Sequence, residues 1–254
     1  MTVRIHVDAG LAPGVELDLP AAAARHAQVL RLQPGAALTL FDGRGGQWRA
    51  EVLRMGRKDV RVRLLMHEAC EREIGCAVTL AVGMPANERM DSLIEKATEL
   101  GALAIQPLVC ERSVLRLHGE RAERKAAHWQ AIALAACEQS GRNRVPAVAA
   151  PIALRDWLQA APATRHGDGL RLLLSLAGDA LPLLHQPGLA TAASATLLSG
   201  PEGGLSPAEE ALALQHGFTP VSLGQRVLRA DTAPLAALAV LACSAAAARV
   251  PTLA

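Results

Sequence analysis

Apolar and polar positions follow two different rules along this chain. Up to about Met66 they alternate with period two. In "ALTLFDGRGGQWRAEVLRMGRKDVRVRLL", Leu38 and Leu40 share one face, as do Trp48, Ala50 and Val52. Val60, Val62 and Leu64 repeat the pattern, with Arg61 and Arg63 turned the other way. Asp42-Gly43 is a hairpin signal, and "GRKD" around Arg57 marks the next turn. A short helix precedes these strands, with Pro20 at its first turn and Ala21 to Leu30 as its body. The expectation is a small β-rich domain over residues 1–70.

After a charged linker, about His67 to Gly75, strands and helices alternate. "AVTLAVG" (Ala77 to Gly83) reads as a continuous apolar strand. Asn87 fits as N-cap of a helix that carries Met90, Leu93, Ile94, Ala97 and Leu100 on one face and stops at Gly101. "LAIQPLVC" is the next strand, and a long helix runs from about Glu120 to Ser140, closed by Gly141. Further strands are expected at Leu172 to Ser175, Ala195 to Ser199 and Phe218 to Leu223. The final helix, Ala233 to Ala248, is apolar nearly all round and belongs in a core or a subunit interface. Continuous apolar strands alternating with helices predict a mostly parallel sheet covered on both faces, over residues 75–254.

Composition changes this picture little. Half of the 254 residues are apolar, yet there is no Tyr, two Phe and three Trp, so Leu, Val, Ile and Ala build the core. Twenty-three Arg against three Lys suit phosphate binding, although a bias that also inflates Ala explains most of the excess. Between residues 31 and 63 stand eight basic and three acidic residues. A solvated sheet face and a nucleic-acid surface both fit that block. The five cysteines form no CxxC pair, which argues for core thiols in a reducing compartment and against a metal site. "MTVRIHVDAG" lacks the apolar stretch of a signal peptide, and Leu235 to Ala248 is too short to span a bilayer. A cytoplasmic protein with no membrane partner is expected.

In open α/β sheets ligands bind beyond the C-terminal ends of the strands. Three loops compete for that place: those after Ser175 and Ser199, and "SLGQRVLRADTAP" after Val221. Ser206-Pro207-Ala208-Glu209 is a capping box with Pro at the first helical position, which fixes a helix start. Gly200, Pro201, Glu202, Gly203 and Gly204 are left as a tight loop whose bare backbone lets a ligand approach closely. No GxxxxGK[ST] pattern is present, no GxGxxG follows a strand, and Glu202 repels phosphate, so a neutral or cationic ligand fits better. A turn that uses its glycines for positive φ alone is the competing reading. In the third loop, Val227 and Leu228 lie between Arg226, Arg229 and Asp231. Apolar side chains suit a wall for an aromatic base, and the charges suit a second substrate. For Asp231, capping of the final helix is an equal alternative.

"GPEGGLSPAE" and "LGQRVLRADTA" together resemble the knotted methyltransferases of the SPOUT class, and more narrowly the family that methylates N3 of a uridine in small-subunit ribosomal RNA. "FDGRGG", "KATELGA...QPLVCERS" (Lys96 to Ser113) and "ACEQSGRNRVP" (Ala136 to Pro146) fit the same family, in order and over nearly the whole chain. The resemblance implies an α/β fold whose C-terminal domain is a trefoil knot, behind a β-rich, PUA-like RNA-binding domain. It implies S-adenosyl-L-methionine as cofactor, ribosomal RNA within the small subunit as partner, and a homodimer as working unit. Leu174, Ser175, Leu198, Gly200, Pro201, Glu202 and Gly203 would then line the cofactor from the first loops. Leu223, Gly224, Val227, Leu228 and Arg229 would do so from the last. Glu138, Gln139, Arg142 and Arg144 match the family's helix-end motif and would lie toward RNA or the partner subunit; Arg25, Arg31, Arg44 and Arg112 are further candidates for RNA binding.

Two positions depart from the family pattern. Asp231 stands where "LRxET" usually carries Glu, and "LAGDA" follows Ser175 where a His-Pro or similar polar segment is commoner. Methylation of a uridine N3 needs its proton removed and the resulting charge stabilised, roles that suit Asp231 or Glu202 as base or orienting group and Arg229 or Arg226 as charge stabiliser. Two rival readings stay open: another SPOUT methyltransferase acting on a ribose 2′-oxygen or a transfer RNA base, and a non-catalytic RNA-binding assembly factor.

Overall fold

The computed structural model describes residues 2–86, 88–160 and 169–247, so Asn87 and Ala248, singled out above as a helix N-cap and a helix end, lie outside the described residues. The chain groups into two units, Met1–Glu73 with Leu134–Val145, and Ile74–Ala133 with Pro146–Ala254.

Five strands build the first unit: β1 (Val3–His6), β2 (Glu16–Asp18), β3 (Ala37–Phe41), β4 (Gln47–Met55) and β5 (Val60–Glu68). They form one sheet in the order β1-β3-β4-β5-β2, parallel between β1 and β3 and antiparallel elsewhere. The register sets Leu38 opposite Ala50 and Val52 opposite Val62, so the period-two apolar residues land on one face. Helix α1 (Ala21–Val29), with Pro20 as its N-cap, lays Ala23, Ala24 and Ala27 on that face and closes the core. On the other face β2 sets Glu16 and Asp18 opposite Arg63 and Arg61, and both arginines pair with Glu16. Arg49 pairs with Glu68, and Arg54 with Asp59. Four of the eight basic residues in the block, Arg49, Arg54, Arg61 and Arg63, are therefore paired with acids on neighbouring strands or in the turn before β5. Residues 134–145, which the division at 70–75 leaves out, also belong to this unit.

The second unit holds β6 (Ala77–Gly83), β7 (Ala104–Val109), β8 (Ala147–Val148), β9 (Ile152–Ala153), β10 (Leu170–Leu174), β11 (Leu181–Pro182), β12 (Ser194–Ser199) and β13 (Thr219–Ser222). Their sheet runs β11-β13-β10-β12-β6-β7-β8, with β9 paired to β7, and every recorded pairing is parallel. The helices of this unit are α2 (Glu88–Glu99), the part of α3 (Gly119–Ser140) up to Ala133, α4 (Leu154–Ala160), α5 (Pro207–Gln215) and α6 (Thr232–Ala247). Successive strand residues face opposite sides of the sheet, and two cores follow from that. Leu80, Leu172 and Leu197 pack with Met90 of α2, Trp129 of α3 and Leu238 of α6. Ala81, Leu173 and Leu198 pack with Leu158 of α4 and Ala213 of α5. The sheet is thus covered on both faces, as continuous apolar strands require.

Candidate cofactor site

Because β12, β10 and β13 are neighbours and parallel, the loops that follow them leave the sheet on the same edge. The loop after β12 is drawn tightly against its surroundings. A Cβ on Gly83, the last residue of β6, would lie 2.5 Å from the nitrogen of Pro201, and one on Gly200 would lie 2.7 Å from the nitrogen of Leu205. Glycine is needed at both places because backbone passes over backbone. Beyond them, Ser206 Oγ accepts from the Glu209 N–H while Glu209 Oε2 accepts from the Ser206 N–H, and the capping box starts α5 as its spacing predicts.

Distant segments hold this loop in place. Arg112, just past β7, donates from Nη1 to the carbonyl oxygens of Gly203 (3.0 Å) and Leu205 (3.2 Å). Next to it the Glu111 N–H donates to Glu209 Oε1 at 2.8 Å. From the other side Glu202 Oε1 accepts the Ala86 N–H at 3.0 Å and lies 3.5 Å from Arg89 Nη1. Cys110 is buried beneath this brace, and burial, with the nearby Glu209 charge, pushes its thiol up to about 12.

Opposite stands the loop from Leu223 to Asp231, and the two enclose a cavity of about 520 Å³. Leu174, Ser175 and Leu176 line it after β10, Ser199 to Leu205 after β12, and Leu223, Gly224 and Arg226 to Ala230 after β13. Val221 and Ala233 complete the apolar lining, while Arg89, Glu202 and Glu210 bring charge. Val227 is 80% exposed. Asp231 stands just before α6, yet its Oδ1 is buried with no hydrogen-bond partner among the described residues. The capping alternative for Asp231 finds no hydrogen bond among the described residues, and Asp231 is not one of the residues that line the cavity.

Of the residues singled out from sequence, Leu174, Ser175, Gly200 to Gly203, Leu223, Gly224, Arg226, Val227, Leu228 and Arg229 meet at this cavity. Leu198 does not. It is fully buried in the core against α4 and α5, since its neighbours on the strand take the opposite face. Three of the RNA candidates are also placed elsewhere. Arg142 is 3% exposed and forks onto Glu73, with Nε 3.0 Å from Oε1, so no phosphate reaches it. Glu138 accepts the His6 N–H at 2.9 Å and lies 3.3 Å from His26 Nδ1. Arg112 is committed to the glycine loop. Arg25, Arg31, Arg44, Gln139 and Arg144 are exposed, Arg144 at 3.3 Å from Glu71. Sequence reasoning passed over Gly83, read as an ordinary strand end, and Ser199. A glycine closing an apolar strand was the available signal for a close backbone approach.

A family model described as an RNA methyltransferase domain matches residues 72–242, about two thirds of the chain. The chain belongs to the RNA methyltransferase family. A second family model, an RNA methyltransferase PUA domain, matches residues 19–65. Ribosomal RNA small subunit methyltransferase E of Synechocystis sp. is 39% identical over 215 residues, covering 84% of this chain and 67% of that protein. The Bacillus subtilis protein of the same name is 32% identical over 223 residues, covering 84% of each. Among solved structures, a Legionella pneumophila methyltransferase in complex with bound S-adenosylmethionine superposes with a TM-score of 0.88 at 35% identity, over 96% of this chain and 98% of that one. A Neisseria gonorrhoeae ribosomal RNA small subunit methyltransferase E bound to S-adenosyl methionine gives 0.87 at 35% identity, over 95% and 97%.

Proposed function

We propose that this chain transfers the methyl group of S-adenosylmethionine to N3 of one uridine in small-subunit ribosomal RNA. The observation that carries this reading is the cavity between the Gly200–Gly204 and Leu223–Arg229 loops, in a chain of the RNA methyltransferase family. Its volume suits a nucleoside-sized ligand. Its donor set suits this one: glycine backbone for close approach, leucine and valine side chains against a flat base, and the carboxylates of Glu202 and Glu210, which favour a cation and disfavour phosphate.

When bound, S-adenosylmethionine supplies an electrophilic methyl group on a sulfonium. The chain's own residues supply position and charge. Uridine N3 carries a proton at neutral pH, so the site has to take it up. Asp231, which follows the lining residue Ala230 and whose Oδ1 has no hydrogen-bond partner among the described residues, is the carboxylate assigned to accept that proton once RNA is bound. Arg229, with Arg226 beside it on the cavity wall, stabilises the charge that spreads onto the base carbonyls. Glu202 braces its loop through Oε1, which accepts the Ala86 N–H.

RNA is held through the exposed residues Arg25, Arg31, Arg44, Gln139 and Arg144, so affinity falls steeply as salt rises. The C-terminal domain carries the family's trefoil knot, and the working unit is a cytoplasmic homodimer; both readings rest on the family resemblance. Among the described residues no helix is long and apolar enough to cross a membrane.

The test is the product. Purified chain, S-adenosylmethionine and unmethylated small-subunit particles are incubated, and nuclease digests are read by mass spectrometry. N3-methyluridine is expected with the parent chain and a loss of at least tenfold in rate with Asp231→Asn. A 2′-O-methylated nucleoside, transfer to transfer RNA instead, or no product at all contradicts the proposal.

A further inference from the structure

One polar group on the cavity wall has no role in the fold. Ser199 ends β12, is 3% exposed, and lines the cavity beside Gly200. Its Oγ is buried and has no hydrogen-bond partner among the described residues. Nearby serines behave differently. Ser175 Oγ accepts the Ala177 N–H, Ser222 Oγ accepts the Gly224 N–H, and Ser206 Oγ caps α5. Each of those hydroxyls serves a turn or a helix end. The hydroxyl of Ser199 serves neither, although its backbone is in register with Val82 in the sheet.

A desolvated hydroxyl without a partner is destabilising, and an alanine on the same backbone avoids that cost. Of the five buried orphan polar atoms among the described residues, this is the one whose residue lines the cavity. The walls around it are apolar at Leu174, Val221, Leu223 and Leu228. We propose that the Ser199 hydroxyl hydrogen-bonds the bound cofactor and so fixes its depth and orientation at the strand end of the cavity. The proposal rests on reading this cavity as the S-adenosylmethionine site. A hydroxyl both donates and accepts, so it pairs with an amine, a ring nitrogen, a ligand hydroxyl or a carboxylate without rearranging the wall.

Ser199→Ala separates a ligand contact from a structural one. Calorimetric titration with S-adenosylmethionine is run on the full-length parent and variant, alongside thermal unfolding of both without ligand. The expected result is an unliganded midpoint equal to or above the parent's, with affinity for S-adenosylmethionine about tenfold weaker. Affinity within twofold of the parent, or an unliganded midpoint several degrees lower, overturns the proposal. A parent chain that takes up no S-adenosylmethionine overturns the functional reading as well. A parent that binds, beside a variant that binds equally, overturns this inference alone.

Discussion

Between Gly200 and Ser206 the chain is fastened from several sides, by Arg112 to two of its carbonyls, by Glu202 to the Ala86 N–H, and by the capping box at the start of α5. Between Leu223 and Asp231 the recorded bonds are local: the Gly224 N–H to Ser222 Oγ at one end, and the Thr232 and Ala233 N–H groups to the Arg229 carbonyl at the other. Both loops wall the same cavity, yet one is built before a ligand arrives and the other leaves Val227 in solvent. A preformed wall costs little entropy at binding, whereas an open one has to be ordered by what it covers. Under the proposed function, the first wall would set where the cofactor goes, and the second would leave room for the base.

The largest effect is expected where the first wall meets the sheet. Gly83→Ala drives a methyl group into the Pro201 backbone, so overpacking of roughly 1–3 kcal/mol is expected together with loss of cofactor binding. Thermal unfolding and calorimetry read the two, and a variant that binds normally breaks the claim of a rigid wall. Next comes Arg112→Ala, which frees the Gly203 and Leu205 carbonyls. S-adenosylmethionine affinity should fall about tenfold while RNA affinity holds, the reverse of what an RNA-contacting arginine gives.

Cys110 reports on the same brace. Burial raises its thiol from 9.0 to about 12, so maleimide should leave it unlabelled at pH 8 in the parent and label it faster in Arg112→Ala. The raised value also fixes a pH dependence. Stability from the neutral thiol is full below about 9 and is lost as pH rises towards 12, and Cys110→Ala should flatten that decline. At the small end, Val227→Ala should move the unliganded midpoint by no more than a degree or so, because an exposed side chain has little to lose. A drop of several degrees there would mean that the second wall is packed after all.

The sequence made the sheet legible because buried parallel strands such as Ala77–Gly83 are unbroken apolar runs, and the capping box placed α5 at the right residue. Strands of two residues, β8, β9 and β11, carry no period and could not be read. Both loops of the cavity were legible from glycine and from apolar residues out of place. What held them was not, because Arg112 and its carbonyl partners are more than ninety residues apart. Arg142 looked like a phosphate contact until its fork closed on Glu73, a pairing that residue type alone does not announce. Leu198 failed for a simpler reason: one step along a strand is the other face of the sheet.

Amide hydrogen exchange with and without S-adenosylmethionine tests the contrast between the walls most directly. The account expects the amides of Gly204 and Ser206, which donate to the Pro201 carbonyl and to Glu209 Oε2, to exchange slowly already in the free chain and to change little on binding. Those of residues 223–231 should exchange fast when free and slow at least tenfold with ligand. Equal, rapid exchange in both loops of the free chain, or protection confined to residues 202–206 on binding, would contradict it.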